Sequence, residues 1–168
     1  LYGAHDNVFS HITTHHHHYS GILVIQSDRN RFEHVTTHDN FDRYNPSGRV
    51  GDDADGISIS TGDRNVLYRV VAYNNSDDGI DAWRSTNTLI DSSASFANGR
   101  GTHGNGNGIK AGGAAEANHT LVRHTIAFHN KANGFDDNDG RYVTYLNNTA
   151  YGNGGYGFAF GDTASLRN

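Results

Sequence analysis

The sequence has no cysteine, a single proline and no apolar run long enough to span a membrane. The lack of cysteine excludes disulfide bonds and thiolate metal sites, and the lack of long apolar segments excludes a transmembrane helix. Net charge is −5, with 13 Lys and Arg residues against 18 Asp and Glu, so the basic surface typical of nucleic-acid-binding proteins is missing. We therefore expect neither a nucleic acid nor a membrane as a partner.

Leu, Ile, Val and Phe are also scarce, and hydrophobic residues make up only 35% of the chain, a composition shared with disordered proteins. Aromatic residues are nevertheless plentiful at 11%, and the 21 glycines recur at regular intervals. Regularly spaced glycines are typical of a chain that turns often on a fixed plan. The composition therefore predicts an ordered protein built from repeats.

One phrase recurs six times: a Gly, a large apolar residue, any residue and usually a second apolar residue. The copies begin at Gly21, Gly56, Gly79, Gly108, Gly134 and Gly157. Three columns precede each copy in the same order: apolar residues (Phe9, Phe32, Leu67, Ile90, Val122, Tyr145), aromatic or His residues (His15, His38, Tyr73, Phe96, Phe128, Tyr151), and mainly Asn (His17, Asn40, Asn75, Asn98, Asn130, Asn153). Members of the last column are separated by 23, 35, 23, 32 and 23 residues. We place insertions at Phe41 to Asp52 and at Gly99 to Gly104.

A repeat this short, with alternating apolar residues and no helical pattern, indicates one turn of a solenoid of short strands. We predict an all-β fold, a right-handed parallel β-helix of about six coils of roughly 23 residues. Residues 1–168 would form a single domain, and the lack of visible end caps suggests part of a longer β-helix. The Gly-linked apolar column and the aromatic column should form the core, the Asn column a ladder of side-chain amides, and each Gly a tight bend.

Coils of a β-helix stack about 4.8 Å apart, so equivalent outward residues should lie above one another. The outward position of the repeated phrase reads Leu23, Ser58, Asp81, Lys110, Asp136 and Ala159. Asp55 and Asp78 share the position before the Gly, with Asp77 beside Asp78. Four carboxylates this close raise one another's pKa, and a hard cation with oxygen ligands, above all Ca²⁺, relieves their repulsion. A solvated acidic edge without metal is the alternative.

Lys110 is one of only two lysines and is expected one coil beyond Asp81. Beside a bound cation its ammonium form would be disfavoured and its pKa lowered, which is how a lysine becomes a general base. Without a cation, pairing with Asp81 and Asp136 in a surface ion network is the alternative.

Four motifs stand at these positions: Ala54-Asp55-Gly56, Asn75 to Asp81, Gly104 to Gly113 and Asn133 to Asp136. Together they resemble the family 9 polysaccharide lyases, right-handed parallel β-helix enzymes of the pectate lyase type. The resemblance implies Ca²⁺ as cofactor, with ligands Asp55, Asp77, Asp78 and Asp81, and Lys110 as Brønsted base. It also implies an acidic, uronate-containing polysaccharide as substrate, cleaved by β-elimination.

Substrate contacts are expected from the two insertions, which precede the carboxylate and lysine strands and should wall the site. The candidates are Arg43, Arg49, Arg100, Asp136 and Trp83, because arginines bind carboxylates and a Trp face holds sugar rings; solvated charge and packing are the alternatives. Two other functions stay open, a uronate C5-epimerase and a non-catalytic polysaccharide-binding or adhesin β-helix. No signal peptide is visible, and we expect a mature or trimmed, secreted, periplasmic or cell-surface monomer.

Overall fold

The computed structural model of the chain describes residues 1–114, 116–161 and 163–167, and all regular elements in these ranges are β-strands. Nowhere in the described ranges is a helix long and apolar enough to cross a membrane. The strands of the described residues are, in chain order, β1 (Val8–Ser10), β2 (Thr13–His15), β3 (Ile22–Ile25), β4 (Arg31–Glu33), β5 (Thr36–His38), β6 (Ile57–Ser60), β7 (Val66–Tyr68), β8 (Val71–Tyr73), β9 (Ile80–Asp81), β10 (Leu89–Asp91), β11 (Ala94–Phe96), β12 (Ile109–Lys110), β13 (Leu121–Arg123), β14 (Ile126–Phe128), β15 (Phe135–Asp136), β16 (Thr144–Leu146), β17 (Thr149–Tyr151), β18 (Phe158–Ala159) and β19 (Ser165–Arg167).

The strands form three parallel sheets, each taking one strand from every coil. The site sheet has the order β3-β6-β9-β12-β15-β18, the aromatic sheet β2-β5-β8-β11-β14-β17, and the long sheet β1-β4-β7-β10-β13-β16-β19. Because each chain turn adds the next strand to all three sheets, the molecule is a parallel β-helix, and the predicted all-β solenoid is confirmed.

The strand register agrees with the columns read from the sequence. In the site sheet Asp81 is paired with Ser58 on one side and with Lys110 on the other, and Lys110 is in turn paired with Asp136. The inward neighbours of this column stack as Ile57, Ile80, Ile109 and Phe135, all fully buried. They pack against the apolar column of the long sheet, which supplies Phe32, Leu67, Ile90, Val122 and Tyr145 to the core.

The aromatic column was predicted to lie in the core, and this prediction is wrong. The rings from His15 to Phe128 stack face to face with centroids 4.7–5.0 Å apart, but they do so on the outer face of the aromatic sheet. The inward position one residue earlier is held by small residues, such as Ala72, Ser95 and Ala127, each fully buried. Strand alternation places neighbouring side chains on opposite faces, so these small residues fill the narrow interior and the rings cover the outside.

The predicted amide ladder is confirmed at the turn between the aromatic and site sheets. Each Asn Nδ2 donates to the Oδ1 of its neighbour one coil on, at 2.8 Å from Asn40 to Asn75 and at 3.0 Å from Asn75 to Asn98 and from Asn98 to Asn130. Buried amides need such partners, and the ladder supplies them from coil to coil. A second ladder joins Asn7, Asn30 and Asn65 in another turn and was not predicted.

The repeated glycines do not form the tight bends that the sequence suggested. Gly56, for example, lacks a positive φ, but a Cβ there would lie 2.5 Å from the Gly79 carbonyl oxygen and 2.9 Å from Asn75 Nδ2. The glycine therefore makes room for the amide ladder. The sharp bends occur instead at non-glycine residues in the left-handed region, such as His34 and Arg69, at a cost of roughly 1–2 kcal/mol each.

Candidate functional site

The outer face of the site sheet forms the floor of an open cleft of about 640 Å³. Arg49 and Asp52 of the predicted first insertion, Phe41 to Asp52, line the cleft. None of Gly99 to Gly104, the predicted second insertion, lines it, and the adjoining Asn105 does so instead. The cleft is lined by Tyr19, Ser20, Leu23, Ile25, Arg49, Asp52, Asp53, Asp55, Ser58, Ser60, Asp77, Asp81, Trp83, Asn105, Lys110 and Asn138. Its lining is rich in carboxylates around one lysine, so the cleft is suited to bind cations or polar substrates.

Three of the four predicted metal ligands meet in this cleft. Asp55, Asp77 and Asp78 each offer a carboxylate oxygen, and these oxygens lie within 4.8 Å of one another. Stacking of consecutive coils brings them together, since Gly56 N–H donates to the Asp78 carbonyl across the coils. Asp81 is not part of this triad. Its carboxylate turns towards Lys110 instead.

Backbone amides hold the triad in place. Asn107 N–H donates to Asp78 Oδ1 at 2.6 Å, Asn105 N–H donates to Asp77 Oδ1, and Asp78 N–H donates to Asp55 Oδ1 at 3.2 Å. Each of these hydrogen bonds fixes the Oδ1 atom of one carboxylate, while Asp78 Oδ2 contacts Lys110 and Asp55 Oδ2 lies 3.5 Å from Ser20 Oγ. The loop that precedes β12 therefore sets the orientation of two carboxylates that belong to the previous coil.

Lys110 lies at the edge of the triad. Its Nζ is 2.8 Å from Asp78 Oδ2 and 2.9 Å from Asp81 Oδ2, and the residue is only 7% exposed. The pairing with Asp81 agrees with the ion network weighed from the sequence, whereas Asp136 faces elsewhere. Asp136 Oδ2 accepts from Asn133 Nδ2 and its Oδ1 from Asn138 N–H.

Burial and mutual repulsion raise the carboxyl pKa values at this site. Burial, followed by the charges of Asp81, Asp77 and Asp78, raises the pKa of Asp55 well above its usual range. Burial and the charge of Asp78 raise the pKa of Asp77 to about 8. For Asp81, burial raises the pKa to about 6 against the opposing pull of Lys110. The raised pKa values of Asp55, Asp77 and Asp81 mean that ionisation of these three carboxyls is disfavoured in the absence of a bound cation.

The same charges act in the opposite direction on Lys110. Burial by itself lowers the pKa of its ammonium group, but the charges of Asp81, Asp78 and Asp55 outweigh burial and hold the pKa above its ordinary range. Without a cation at the triad, Lys110 is therefore protonated and serves as the counter-charge for its neighbours.

The residues of the triad fit a hard divalent cation. Every donor is an oxygen, which is the ligand type that Ca²⁺ and Mg²⁺ prefer. Asp81 Oδ1 is buried and has no hydrogen-bond partner among the described residues, and the contact that Asp78 Oδ2 makes is the ion pair with Lys110. A buried carboxylate oxygen without a donor is costly, so this arrangement favours a positively charged ligand.

The structure separates the predicted substrate contacts into two groups. Arg49 and Trp83 line the cleft, although Arg49 is held in a two-pronged ion pair with Asp52. Arg100 is paired with Asp39 at 2.8 Å. Arg43 borders a separate small depression beside the His16 to His18 turn. Arg43 and Arg100 therefore lie outside the cleft lining: Arg100 is held by its ion pair with Asp39, and the guanidinium of Arg43 lies over the Phe41 ring, 5.8 Å from its centroid.

Sequence reasoning missed the residues that support the carboxylates. Asn105 and Asn107 act through their backbone amides, which no side-chain pattern reveals. Ser20 occupies the same repeat position as Asp55, one coil earlier, and its hydroxyl accepts from Asp55 N–H at 3.2 Å and lies 3.5 Å from Asp55 Oδ2, a contact that was not predicted. Its position one coil before Asp55 was the available signal.

The chain is similar to a family of known proteins over its whole length. The model of the family described as "Pel9A-like, right handed beta helix region" matches residues 1–168. Pectate lyase L of Dickeya dadantii is 36% identical over 93% of this chain and 38% of its own length. Pectate lyase L of Paenibacillus polymyxa is 33% identical over 82% of this chain and 40% of its length. The chain thus spans about two fifths of these relatives.

Solved structures give the same picture. The crystal structure of pectate lyase Pel9A superposes with a TM-score of 0.83 at 29% identity, over 98% of this chain and 47% of that one. A rhamnogalacturonan lyase superposes with a TM-score of 0.71 at 25% identity, over 87% of this chain and 40% of its own. The periplasmic alginate epimerase AlgG has a TM-score of 0.68 at 15% identity, covering 99% of this chain and 41% of that one, and so shares the fold alone.

Proposed function

Because the chain belongs to the Pel9A-like right-handed β-helix family, we propose that it carries the catalytic cleft of a calcium-dependent polysaccharide lyase. The proposed substrate is an acidic, uronate-containing, pectate-like polysaccharide, cleaved by β-elimination. The pectate lyases among its relatives and the Pel9A structure support this class of reaction. A polymer of this kind is met outside the cytoplasm, so we propose that the protein is secreted, periplasmic or at the cell surface, and acts as a monomer.

One observation supports the proposal above the others: a buried lysine contacts two carboxylates at the edge of an acidic triad on the floor of an open cleft. A lysine that only decorated a surface would be exposed, yet Lys110 is 7% exposed. Carboxylates that served only as a solvated acidic surface would be exposed to water. Asp55 and Asp77 are instead only 5% and 4% exposed, and Asp78 is fully buried. Buried charges are retained where they bind or react.

We assign the carboxylates of Asp55, Asp77 and Asp78 as the cation ligands, with Asp81 completing the predicted set of four. When bound, a Ca²⁺ ion supplies positive charge that binds a uronate carboxylate and stabilises the negative charge developing on the sugar as its C5 proton is removed. The backbone amides of Asn105 and Asn107 donate to Asp77 Oδ1 and Asp78 Oδ1 and would orient these carboxylates for the cation.

Lys110 is proposed to accept the C5 proton at its Nζ, while the C4–C5 double bond forms, the C4–O bond to the leaving sugar breaks, and the departing oxygen takes a proton from water. Its burial favours the neutral amine, and at present the charges of Asp78 and Asp81 oppose that effect. Neutralisation of the triad weakens this opposition, so that burial lowers the pKa of Lys110 towards the range of a general base. Asp81 keeps a contact to Nζ and directs it towards the cleft.

Trp83 and Arg49 are the proposed substrate contacts within the cleft. Trp83 lines the cleft and is 39% exposed, with the Arg84 guanidinium 5.1 Å from its ring centroid, and an exposed indole face packs well against a sugar ring. Arg49 can exchange its partner Asp52 for a substrate carboxylate, since an exposed ion pair is weak in water. Asp136, Arg43 and Arg100 remain predictions with less geometric support.

The proposal is tested by incubating the protein with pectate, rhamnogalacturonan, alginate and a glycosaminoglycan, with calcium and with excess chelator. Lyase activity forms unsaturated sugar ends that absorb in the near ultraviolet. We expect calcium-dependent absorbance with a pectate-like polymer, lost on chelation and restored by added calcium. Activity that is equal in chelator would reject the calcium assignment, and no absorbance on any polymer would reject the lyase.

The same experiment separates the two alternatives left open by the sequence. An epimerase would invert the C5 centre without breaking the chain, so product analysis would find the other uronate and no unsaturated ends. A binding or adhesin β-helix would retain polysaccharide without turnover. The proposed lyase predicts shortened chains with unsaturated ends.

A further inference from the structure

The second lysine of the chain, Lys131, has no role in the proposed reaction, yet its ammonium group has an unusual environment. Its Nζ donates to the carbonyl oxygens of Gly101 at 3.0 Å, Gly104 at 2.8 Å and Thr102 at 3.4 Å. Three backbone carbonyls of one loop thus converge on a single cation. An ammonium group has three N–H donors, and here each is matched by a carbonyl.

The stem of Lys131 crosses the same loop at its base. A Cβ added to Gly99 or Gly106 would lie 2.5 Å or 2.7 Å from Lys131 Cβ, so both glycines let the loop close around the stem. Both have positive φ values, 91° and 76°, which glycine adopts at little cost. Backbone bonds reinforce this contact, because Lys131 N–H donates to the Asn98 carbonyl and Ala132 N–H to the Gly106 carbonyl.

The clamped loop, residues 99–107, is the one that orients the acidic triad. Asn105 N–H donates to Asp77 and Asn107 N–H donates to Asp78. The loop also packs on the first insertion, where His103 N–H donates to the Val50 carbonyl. Lys131 therefore acts two steps away from the ligands, through the loop and then through two backbone amides.

We infer that Lys131 is a positioning residue, which holds loop 99–107 so that its amides orient Asp77 and Asp78 for a divalent cation. This inference rests on the proposed cation site. Without the ammonium group, three carbonyl dipoles would face one another with only water between them, and the loop would open. Lys131 itself is exposed, so water compensates in part, and the effect on cation affinity is moderate.

The test compares Lys131→Met, which keeps the stem and removes the charge, with wild type in two measurements. Calcium titration calorimetry should give about fivefold weaker binding, the upper range for an exposed charged contact. Hydrogen exchange of the metal-free protein should be faster at the Asn105 and Asn107 amides. Lys131→Arg should restore part of both, because its planar fork retains the charge but cannot direct three donors from one nitrogen.

Arg123→Met is the matched control, since it removes a charge that pairs with Asp91 on the long sheet and should leave both readouts unchanged. A plain electrostatic role for Lys131 predicts the opposite sign, because removing a positive charge would tighten calcium binding. Unchanged or tighter binding, or unchanged amide exchange, in Lys131→Met would overturn the inference. Failure of the wild type to bind calcium would reject the proposed cation site, whereas amide exchange would still test the clamp.

Discussion

Asp78 is the residue on which the site converges. Its Oδ1 accepts from the loop at Asn107, its Oδ2 contacts Lys110, and it belongs to the triad with Asp55 and Asp77. The residue is fully buried, so its charge must be balanced locally. In the metal-free protein that balance comes from Lys110, which explains why a group proposed as a base is held protonated until another cation takes over.

The raised carboxyl pKa values predict how stability depends on pH. Asp77 and Asp81 have pKa values of about 8 and about 6, against about 4 in an unfolded chain. Groups with a raised folded pKa contribute stability that is fully present below the unfolded pKa, and this contribution is lost progressively from about pH 4 up to the folded values of about 6 for Asp81 and about 8 for Asp77. We expect the chelated protein to melt at a lower temperature at pH 9 than at pH 5.5. Added calcium should raise the melting temperature at pH 9 and so reduce this difference.

Melting curves with chelator and with calcium at both pH values provide the measurement. Asp77→Asn is the matched variant, because it removes one titrating carboxyl while keeping the acceptor for Asn105 N–H, and its melting temperature should depend less on pH. An equal pH dependence in Asp77→Asn and in wild type would contradict the assignment of the raised pKa to this residue.

Among the elements, the Asn ladder is expected to contribute more to stability than its small side chains suggest. Asn98 donates to Asn130 and Ser95 and accepts from Asn75, all in a buried turn. Asn98→Ala leaves several of these groups unpaired, so we expect a loss of about 2–4 kcal/mol in the free energy of unfolding. Asn153→Ala, at the half-buried end of the ladder, should cost about 1 kcal/mol. Urea denaturation measures both, and equal losses would argue against a cooperative ladder.

The aromatic stack on the outer face of the aromatic sheet should contribute less to stability than the interior core. Phe96 stacks on Tyr73 and Phe128 but is only half-buried, so Phe96→Ala should cost about 1–2 kcal/mol through lost stacking. Phe135 is fully buried in the core, and Phe135→Ala should cost about 3–5 kcal/mol through the cavity it leaves. Denaturation of the two variants side by side checks this order. A larger loss at Phe96 would mean that the stack, and not the interior, is the main core.

At the scale of the whole molecule, most of the fold and the placement of the site residues were predicted from the alignment of the repeats. Once the Gly phrases were aligned, coil stacking alone placed Asp55 over Asp78 and Lys110 beside Asp81, as the strand pairing confirms. The inward or outward side of the aromatic column could not be read in the same way. Alternation defines two faces but not which is inside, and the deciding fact, that Ala72 and Ser95 fit a narrow interior, is a property of the closed coil.

Other features of the site depended on backbone geometry that the sequence does not display. The amides of Asn105 and Asn107 reach their carboxylates only because the second insertion folds back, and the loop does so around Lys131. The split of the four carboxylates, three in a triad and Asp81 turned towards the lysine, depends on side-chain direction, because Asp81 lies in β9 whereas the triad residues lie in the turns before β6 and β9. It stays a prediction that residues 1–168 are part of a longer β-helix. The chain spans 38% of the length of Dickeya dadantii pectate lyase L and 47% of the Pel9A structure.

The central claim is that Lys110 performs proton abstraction in a calcium-loaded acidic cleft. Its most direct test is the rate of near-ultraviolet absorbance on pectate with calcium, for wild type, Lys110→Ala and the surface control Arg29→Ala, which breaks an exposed pair with Asp6. Melting curves and calcium titration establish that each variant is folded and loaded. We predict turnover by wild type and Arg29→Ala and a loss of at least about a thousandfold in Lys110→Ala, within the usual contribution of a general base. Turnover by a folded, calcium-loaded Lys110→Ala at the wild-type rate would contradict the claim.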